Sequence, residues 1–432
     1  MKTNKLICIV LAVLLFCTAL SGCGKKAPAV SSEPFALVAA EPAELIKPDY
    51  GETDSAAETA AHGANDFAFR FSANLAEQAG EENLVCSPFS AWLPLAALVN
   101  ATDKEYKPEL MEALGAAGIT EDDLNRAASR MLYFLTQTGE HHPLEIANAL
   151  FVSNNETAKM DFAQTFADYY RGSVMQVDFS SLEAVDAINA WASDNTHGLI
   201  DNIVEDFSEN TVSAIANAIY FSDRWESEFN ESETTEDVFH APNGDTTANY
   251  MLREGYDQTY YEDDTLQAMP LEFTSGAKLY ILLPKDGDAA GLLTSLNSEH
   301  FNTICEGMSS RTGRLLLPRF SIESGVMSLR DALKTLGVPL FDPENEAITA
   351  LIDRRDGLWI SDAVQKAMIT VDEKGTTAAA VTVMVEEAAC EPEETEPFEM
   401  ICDQPFVFVL TGRTYDGGDQ VLFTGMVNEP TE

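Results

Sequence analysis

Basic residues are scarce in this sequence. Its 432 residues include 71 Asp and Glu but only 26 Lys and Arg, which leaves a formal net charge of −45 at pH 7. Counterion release cannot drive binding to nucleic acid when few basic side chains are present to neutralise phosphates. The same negative charge opposes docking on anionic membrane surfaces and sulfated polysaccharides. We therefore expect no nucleic-acid partner.

Signatures of common enzymes and metal sites are also missing. The chain contains no GxSxG nucleophile elbow, no HExxH helix, no P-loop and no GxGxxG turn. Its six His residues are scattered, and the Cys residues have neither CxxC spacing nor an accompanying His cluster. We expect no metal ion, no cofactor and no enzymatic activity.

Apolar residues, by contrast, are plentiful enough to build a folded domain. Hydrophobic residues make up 45% of the chain and aromatic residues 9%, which excludes a disordered protein. Helix-like patterns dominate the first half and short strand-like runs the second, and no Gly- or Pro-rich linker divides residues 65–428. We predict a single α+β domain over residues 63–432, with its first helix opening after Asn65.

The N-terminus has the pattern of a secretory signal. A basic start is followed by an apolar run that ends at Leu20 and then by Ser21-Gly22-Cys23. The run is too short for an ordinary transmembrane helix. Its ending resembles a bacterial lipobox, in which the Cys is lipidated; the alternative is an ordinary signal peptide with an incidental Cys. We predict a signal peptide over residues 1–22 and an extracytoplasmic protein held on the bacterial cell membrane, facing outside, only through lipidated Cys23.

Composition also predicts the character of the segment after Cys23 and of the remaining Cys residues. Residues 23–62 are rich in Ala, Pro, Glu and Ser, which predicts a flexible stalk. Beyond the stalk the chain has four Cys residues, which could form disulfides, although nothing in their spacing demands one. We predict mostly free, partly buried thiols at Cys86, Cys305, Cys390 and Cys402.

Several short motifs occur in order along the body. They include Thr196-His197-Gly198-Leu199-Ile200, the stretch from Asn217 to Phe229, Leu317-Pro318-Arg319-Phe320 and Gln404-Pro405-Phe406-Val407-Phe408. Their ordered combination over residues 65–430 resembles the serpin family of serine protease inhibitors. The resemblance implies helices packed on a large mixed central sheet, additional smaller sheets and an exposed reactive-centre loop, and we expect a monomer.

The stretch from Glu373 to Phe398 has two contrasting halves. Residues 375–385 are small or β-branched apart from Met384, so they can form a strand. Residues 386–394 are acidic, contain Pro392 and lack core-sized side chains, which predicts a solvent-exposed loop open to proteolysis. A segment that can form a strand but is held out as a loop is metastable.

The serpin resemblance assigns this metastability a function. A target protease cuts the loop and stays acylated to it, while the freed N-terminal half inserts into the central sheet. The resemblance implies that the chain is such a suicide-type inhibitor of extracellular serine endopeptidases. The small-residue hinge that insertion requires corresponds to Glu373, Gly375, Thr376, Ala378, Ala379 and Ala380.

The family's usual loop spacing places the cleaved bond between Ala389 and Cys390. Ala beside this bond would suit elastase-like or subtilisin-like serine proteases with a small apolar specificity pocket. A register shifted by a residue or two would expose Glu387 and suggest a Glu-selective protease. Cys390 is a poor candidate for a nucleophile because no motif supplies its base.

Two departures from the family pattern bear on this function. The resemblance places Ser87, Asn217 and Gln365 in the region where the sheet opens, and Gln365 stands where serpins commonly carry a His that is hydrogen-bonded with the Asn. Strand alternation would also turn Glu386 inward on insertion, together with Thr376 and Met384. A buried unpaired carboxylate is costly, so Glu386 must lie near an open end of the sheet, or insertion stops short. The alternative function is a non-inhibitory serpin-fold binding lipoprotein on the cell surface.

Overall fold

The computed structural model describes residues 35–36, 44–47, 54–137, 143–208, 210–354, 356–376, 396–414 and 418–431. Within these ranges no helix is both long and apolar enough to cross a membrane. The α-helices are α1 (Ser55–Ala79), α2 (Pro88–Leu98), α3 (Lys107–Ala113), α4 (Glu121–Gln137), α5 (Met160–Tyr170), α6 (Leu182–Asn195), α7 (Ala289–Ser295), α8 (Ser298–Glu306) and α9 (Arg330–Thr335).

The strands become longer and more frequent in the second half of the chain. They are β1 (Phe35–Ala36), β2 (Leu84–Cys86), β3 (Leu144–Ser153), β4 (Gly172–Val177), β5 (Ser213–Phe221), β6 (Thr235–Ala241), β7 (Gly244–Glu262), β8 (Leu266–Glu272), β9 (Lys278–Pro284), β10 (Ser309–Pro318), β11 (Phe320–Glu323), β12 (Met327–Ser328), β13 (Val364–Gln365), β14 (Met368–Val371), β15 (Phe398–Ile401), β16 (Phe406–Arg413) and β17 (Asp419–Val427).

The strands form one large mixed sheet and several smaller ones. The large sheet has the order β15-β10-β7-β8-β9-β16-β17-β2, with β6 paired to β7. A second sheet has the order β1-β4-β3-β5, while β11 pairs with β14 and β12 with β13. The β3–β4 and β10–β15 pairs are parallel, so the sheets are mixed. The predicted α+β architecture is confirmed.

Two apolar clusters place the four-stranded sheet between the main core and helix α6. Ile215 and Ile219 of β5 pack on the main core, which contains the buried faces of α1 and α2. Ala214 and Ala216 of the same strand pack on a smaller cluster that includes Ile188 of α6. Alternate β5 residues therefore face opposite layers, as strand geometry requires.

Helix α1 begins earlier than the sequence indicated. Asp54 is its N-cap and accepts hydrogen bonds from the backbone N–H groups of Ala56 (3.1 Å) and Ala57 (3.2 Å). Asn65, which resembled a cap, lies inside the helix. Its Nδ2 donates to the Asp419 carbonyl (2.8 Å), and its Oδ1 accepts from the Val421 N–H (2.9 Å). Asn65 therefore holds β17 through side-chain hydrogen bonds and does not cap the helix, although its sequence position suggested a cap.

Part of the segment predicted as a flexible stalk also lies against the body. Strand β1 pairs with the edge of β4. Leu45 is buried in the main core, and the Ile46 N–H donates to Ser129 Oγ at 3.0 Å. Because residues 55–62 are helical as well, the stalk prediction is wrong for these parts of residues 23–62.

The described Cys residues are free thiols. Cys86 and Cys402 are buried and Cys305 is half-buried. Burial raises the pKa of Cys86 to about 11, although hydrogen bonds with Thr424 and Ser72 oppose the shift. Burial likewise raises the pKa of Cys305 to about 11 and that of Cys402 well above its ordinary value. The prediction of free thiols is confirmed for these three residues, while Cys390 lies outside the described residues.

These thiols should resist labelling in the native protein. At pH 8 the raised pKa values leave little thiolate, which is the reactive form. We expect a mature Cys23→Ser/Cys390→Ser variant to react slowly with a thiol reagent when native and rapidly at all three thiols in urea. Rapid native labelling of Cys86 or Cys402 would contradict the buried placement.

Candidate functional site

A gap separates strand β5 from the chain at residues 361–372. In the described part of the structure, β5 is hydrogen-bonded only to β3, β14 only to β11, and β13 only to β12. A cavity of about 630 Å³ lies between the two sides and is lined by every residue of β5. Among the described residues, the backbone edges that face each other across this cavity have no strand partner, and such edges are ready to accept one.

The walls of the gap are mostly apolar. Apart from the buried Ala218, the residues of β5 are only half-buried, although the strand lies between two apolar layers. Helix α2 contributes Ala91 and Leu95 to one side of the cavity, and α6 and the segment after it contribute Ile188 and Ile203. The gap therefore has the surroundings of an interior strand, and no strand of the described part of the chain occupies it.

A tight hairpin turns the chain into this gap. Asp372 and Gly375 face each other across the two-residue turn Glu373-Lys374, and the Asp372 N–H donates to the Gly375 carbonyl at 3.1 Å. Gly375 has φ +141°, and a Cβ there would lie 2.2 Å from the Asp223 carbonyl oxygen. Both observations require glycine at this position.

Beyond the turn, the chain begins to pair with the segment that follows β5. The Trp225 N–H donates to the Lys374 carbonyl (3.0 Å), and the Thr376 N–H donates to the Asp223 carbonyl (3.0 Å). These two bonds make Gly375 and Arg224 an antiparallel pair. Thr376 is buried and lines the cavity, so residues 375–376 already occupy the first positions of a strand inside the gap.

An ion pair between the buried Glu373 and the half-buried Arg319 holds the hairpin. Glu373 is only 4% exposed, and its Oε1 accepts hydrogen bonds from Arg319 Nε (2.8 Å), from a terminal nitrogen of Arg319 and from Thr234 Oγ1. Burial alone would raise the pKa of this carboxyl, but the hydrogen bonds from Arg319 and Thr234 hold the pKa of Glu373 below its ordinary value. The charged form of Glu373 therefore stabilises the folded hairpin.

The first turn of α2 is joined to both walls of the gap. On one side the Ser87 N–H donates to Gln365 Oε1 (2.9 Å), and Gln365 Nε2 donates to the Ser87 carbonyl (2.8 Å). On the other side Ser90 Oγ donates to Asn217 Oδ1, and Asn217 Nδ2 donates to Asn148 Oδ1 at 2.8 Å. The structure thus brings the three predicted residues to the same cavity without joining Gln365 and Asn217 directly.

Sequence reasoning missed Ser90 and Asn148 in this network. Ser90 follows the N-cap Ser87 by one helical turn, a spacing that places both near the helix start. Asn148 lies opposite Asn217 in the β3–β5 ladder, a juxtaposition that no local pattern indicates. Whether Ser87, Asn217 and Gln365 control opening of the sheet stays a prediction.

The chain that follows residues 377–395 is held at strand β15. Arg311 donates to the Glu396 carbonyl (3.1 Å), and the Phe398 and Tyr260 rings stack with centroids 3.9 Å apart. Residues 377–395 lie outside the described residues, and with them the predicted hinge residues Ala378, Ala379 and Ala380 and the predicted cleavage site Ala389 and Cys390. Cys23 also lies outside them.

Comparison with known proteins agrees with this geometry. The family model for serpins, the serine protease inhibitors, matches residues 62–430. A serpin-like protein of Thermococcus kodakarensis is 30% identical over 376 residues, which cover 85% of each chain. Plasminogen activator inhibitor 1 of Neovison vison is 30% identical over 383 residues, covering 86% of this chain and 93% of its own. The solved structure of tengpin, a thermophilic serpin in the native state, has a TM-score of 0.78 at 24% identity and covers 92% of this chain and 100% of tengpin.

These matches define the class of protein. The chain belongs to the serpin family, whose model describes serine protease inhibitors rather than enzymes, and relatives such as plasminogen activator inhibitor 1 are named as inhibitors. The predicted fold and the prediction that the chain is not an enzyme are therefore confirmed.

Replacing the buried carboxylate should weaken the hairpin. Glu373→Gln leaves the half-buried Arg319 guanidinium without its anion, and losing the charged hydrogen bonds of this carboxylate costs about 1.5–3 kcal/mol. Urea unfolding at pH 7 should show this loss. Glu399→Gln is the matched control, since its ion pair with Arg314 is exposed on both sides and should contribute less than about 1 kcal/mol. Equal effects of the two substitutions would contradict a special role for Glu373.

The contribution of Glu373 should also depend on pH. Because its pKa is lower when folded, its stabilisation is fully present above the ordinary glutamate pKa and is lost as the pH falls through the folded-state value. The stability difference between the wild type and Glu373→Gln should therefore be constant near neutral pH and shrink below about pH 4.3. A difference that instead grew on acidification would be inconsistent with this charge state.

Proposed function

We propose that this protein is a suicide-type inhibitor of extracellular serine endopeptidases, which traps the acyl-enzyme by inserting its cleaved loop between β5 and residues 361–372. One observation carries the proposal. Within the described ranges the gap has two backbone edges without a strand partner, and the hairpin at Asp372–Gly375 already directs the chain into it. The relatives named as inhibitors support the same function.

The existing pairs set the register of an inserted strand. Gly375 faces both Arg224 and Asp372, so each later loop residue faces one residue earlier on each wall. If the ladder continues without a bulge, the pairs on the two walls are Ala378 with Phe221 and Ile369, Ala380 with Ile219 and Ala367, Thr382 with Asn217 and Gln365, Met384 with Ile215 and Ala363, and Glu386 with Ser213 and Ser361.

This register supports insertion through Glu386. Directly opposed residues of an antiparallel pair share a face, so Ala380 and Met384 would face the main core, as Ile219 and Ile215 do. Glu386 would reach Ser213 at the first residue of β5 and the exposed Ser361. Its carboxylate would therefore lie at the open end of the sheet, where water can solvate it.

Thr382 would occupy the polar centre of the gap. In this register it lies between Asn217 and Gln365, the residues through which the two walls are joined to the start of α2. A hydroxyl can both donate and accept, so it can hydrogen-bond to amide side chains on either wall. The polar residues at the middle of the two walls would thus receive a polar residue of the loop.

The free energy released by loop insertion is comparable to the stability of a protease. Roughly a dozen new ladder hydrogen bonds at about 0.5–1.5 kcal/mol each supply on the order of 10 kcal/mol. A protease has a typical stability of about 5–15 kcal/mol, so this energy is enough to distort its active site.

The covalent step is an interrupted peptide hydrolysis. The protease serine Oγ attacks the Ala389 carbonyl carbon, the bond between Ala389 and Cys390 breaks, and the serine proton passes through the catalytic His to the Cys390 amine. Insertion then removes the Ala389 ester from the geometry needed for attack by water.

Ala389 favours elastase-like and subtilisin-like proteases, and the seven Glu between Glu386 and Glu399 favour enzymes with a basic approach to the active site.

The proposed place of action is the outer face of the bacterial cell membrane. The signal-like pattern of residues 1–22 and the lipobox-like ending at Cys23 support secretion and lipid attachment. Residues 377–395 would then meet proteases outside the cell.

Incubation with elastase and with subtilisin tests the inhibitory mechanism. We expect a covalent complex that survives denaturing electrophoresis and a sequence cut after Ala389. Loop cleavage should also raise the melting temperature by on the order of 20 °C, since insertion adds about 10 kcal/mol of stability. Cleavage across a broad protease panel with neither a complex nor a rise in melting temperature would support a non-inhibitory binding protein instead.

Charge substitutions on the loop test the register. Ala380→Asp would bury a carboxylate opposite Ile219 and should convert the inhibitor into a substrate, because an unpaired buried charge blocks insertion. Glu386→Gln is the matched control at the open end and should leave the number of inhibitors consumed per trapped protease unchanged. The register is wrong if Ala380→Asp still inhibits or if Glu386→Gln alters this ratio strongly.

A further inference from the structure

An exposed tryptophan lies on the wall of the gap. Trp359 is 44% exposed, whereas Trp92 and Trp225 are fully buried and donate their indole N–H groups to backbone carbonyls. Among the described residues, Trp359 has no hydrogen-bond or ring partner, and its side chain lines the cavity together with the exposed Leu199 and Val364. A large apolar side chain exposed beside an apolar cavity is a candidate contact surface.

The backbone holds Trp359 in a fixed place. Leu358 exchanges two backbone hydrogen bonds with Ile348, at 2.8 and 2.9 Å, and the Ile360 N–H donates to the Leu340 carbonyl at 2.7 Å. Leu340 and Ile348 are both buried. The indole is therefore presented from an anchored backbone, so little conformational entropy is lost when a partner covers it.

The register of the inserted loop indicates which part of the loop, and therefore which partner, would come to lie beside Trp359. Continued beyond Glu386, it would place Ala388 between Thr211 and Trp359, two residues before the start of β5 and five residues before the start of β13. The next residue is Ala389, which carries the acylated protease. The roughly 13 residues after Thr376 span about 43 Å as a strand, so the protease would be delivered to the far end of the gap.

We propose that Trp359 is the anchor of a docking surface for the trapped serine protease, a site separate from the loop sequence that the protease first cuts. This inference rests on the proposed inhibitory function. The occupant is the acyl-enzyme itself, since in the inserted register the chain that ends in its ester bond would pass beside the indole. Aromatic anchors of this kind dominate the energy of protein contacts.

The surroundings of Trp359 favour a particular kind of protease surface. Asp356 and Asp362, on either side of it in the sequence, are exposed. An apolar patch bordered by Lys or Arg on the protease would complement the indole and these carboxylates. Trp359 would then help to hold the distorted protease against the inhibitor and slow the hydrolysis that releases it.

Oxidative footprinting tests the contact directly. The oxidation rate of Trp359 is measured by mass spectrometry in the native chain, in loop-cleaved protein without protease and in the covalent elastase complex. We expect at least about a fivefold lower rate in the complex than in the cleaved protein, with no change at Tyr256, which is 67% exposed and does not line the gap. Equal oxidation in the complex would overturn the proposal, and so would equal protection in cleaved protein without protease, because the loop alone would then cover the indole.

Release kinetics test the consequence. Trp359→Ala should form the covalent complex in the same yield as the wild type but return active elastase about tenfold faster, while Tyr256→Ala should behave as the wild type. The cleaved Trp359→Ala protein should melt at the temperature of the cleaved wild type, which shows that its loop inserts. An unchanged release rate, or cleavage without a complex in this variant alone, would overturn the docking surface. Failure of the wild type to form any complex would overturn the proposed inhibitory function and the docking surface with it.

Discussion

The proposed function depends on backbone edges along the gap that have no strand partner among the described residues. Peptide groups on the facing edges of β5 and residues 361–372 lie next to an apolar cavity, where a strand would satisfy them. The described part of the fold therefore leaves one strand position unfilled, and the sequence that can fill it begins at Gly375. Filling that position would release free energy through many small, identical contributions along one ladder. No single side chain is responsible for this reserve.

The surrounding contacts keep this vacant position ordered. Glu373, held by Arg319 and Thr234, fixes the hairpin from which a strand would start. Ser87 and Ser90, in the first turn of α2, hold the two walls through Gln365 and Asn217. The chain thus has a defined starting point, a defined register and two positioned walls.

The few basic residues of this acidic chain include several that hold the ends of one segment. Several of them lie beside the two ends of residues 377–395. Arg319 binds Glu373, Lys374 pairs with Glu231 at 3.1 Å, and Arg311 donates to the Glu396 carbonyl. In a chain with 71 acidic residues, these cations fasten the ends of the loop rather than form a surface for a polyanion. The acidic surface left over is suited to partners that carry basic groups.

Local patterns in the sequence determined the helix-rich first half, the strand-rich second half and the strand-competent segment after Glu373, because these depend on side-chain size and periodicity over a few residues. They could not determine that Asn65 bonds to β17 or that Gln365 bonds to the Ser87 backbone. Those contacts join positions hundreds of residues apart, so only chain packing decides them. The sequence likewise determined that alternate loop residues are small, while the tertiary structure decided where they would lie, since the register depends on the pairing of Gly375 with Arg224 and Asp372. In the proposed inserted state that pairing would put Glu386 opposite the exposed Ser361, a position that no property of residues 377–395 alone could reveal.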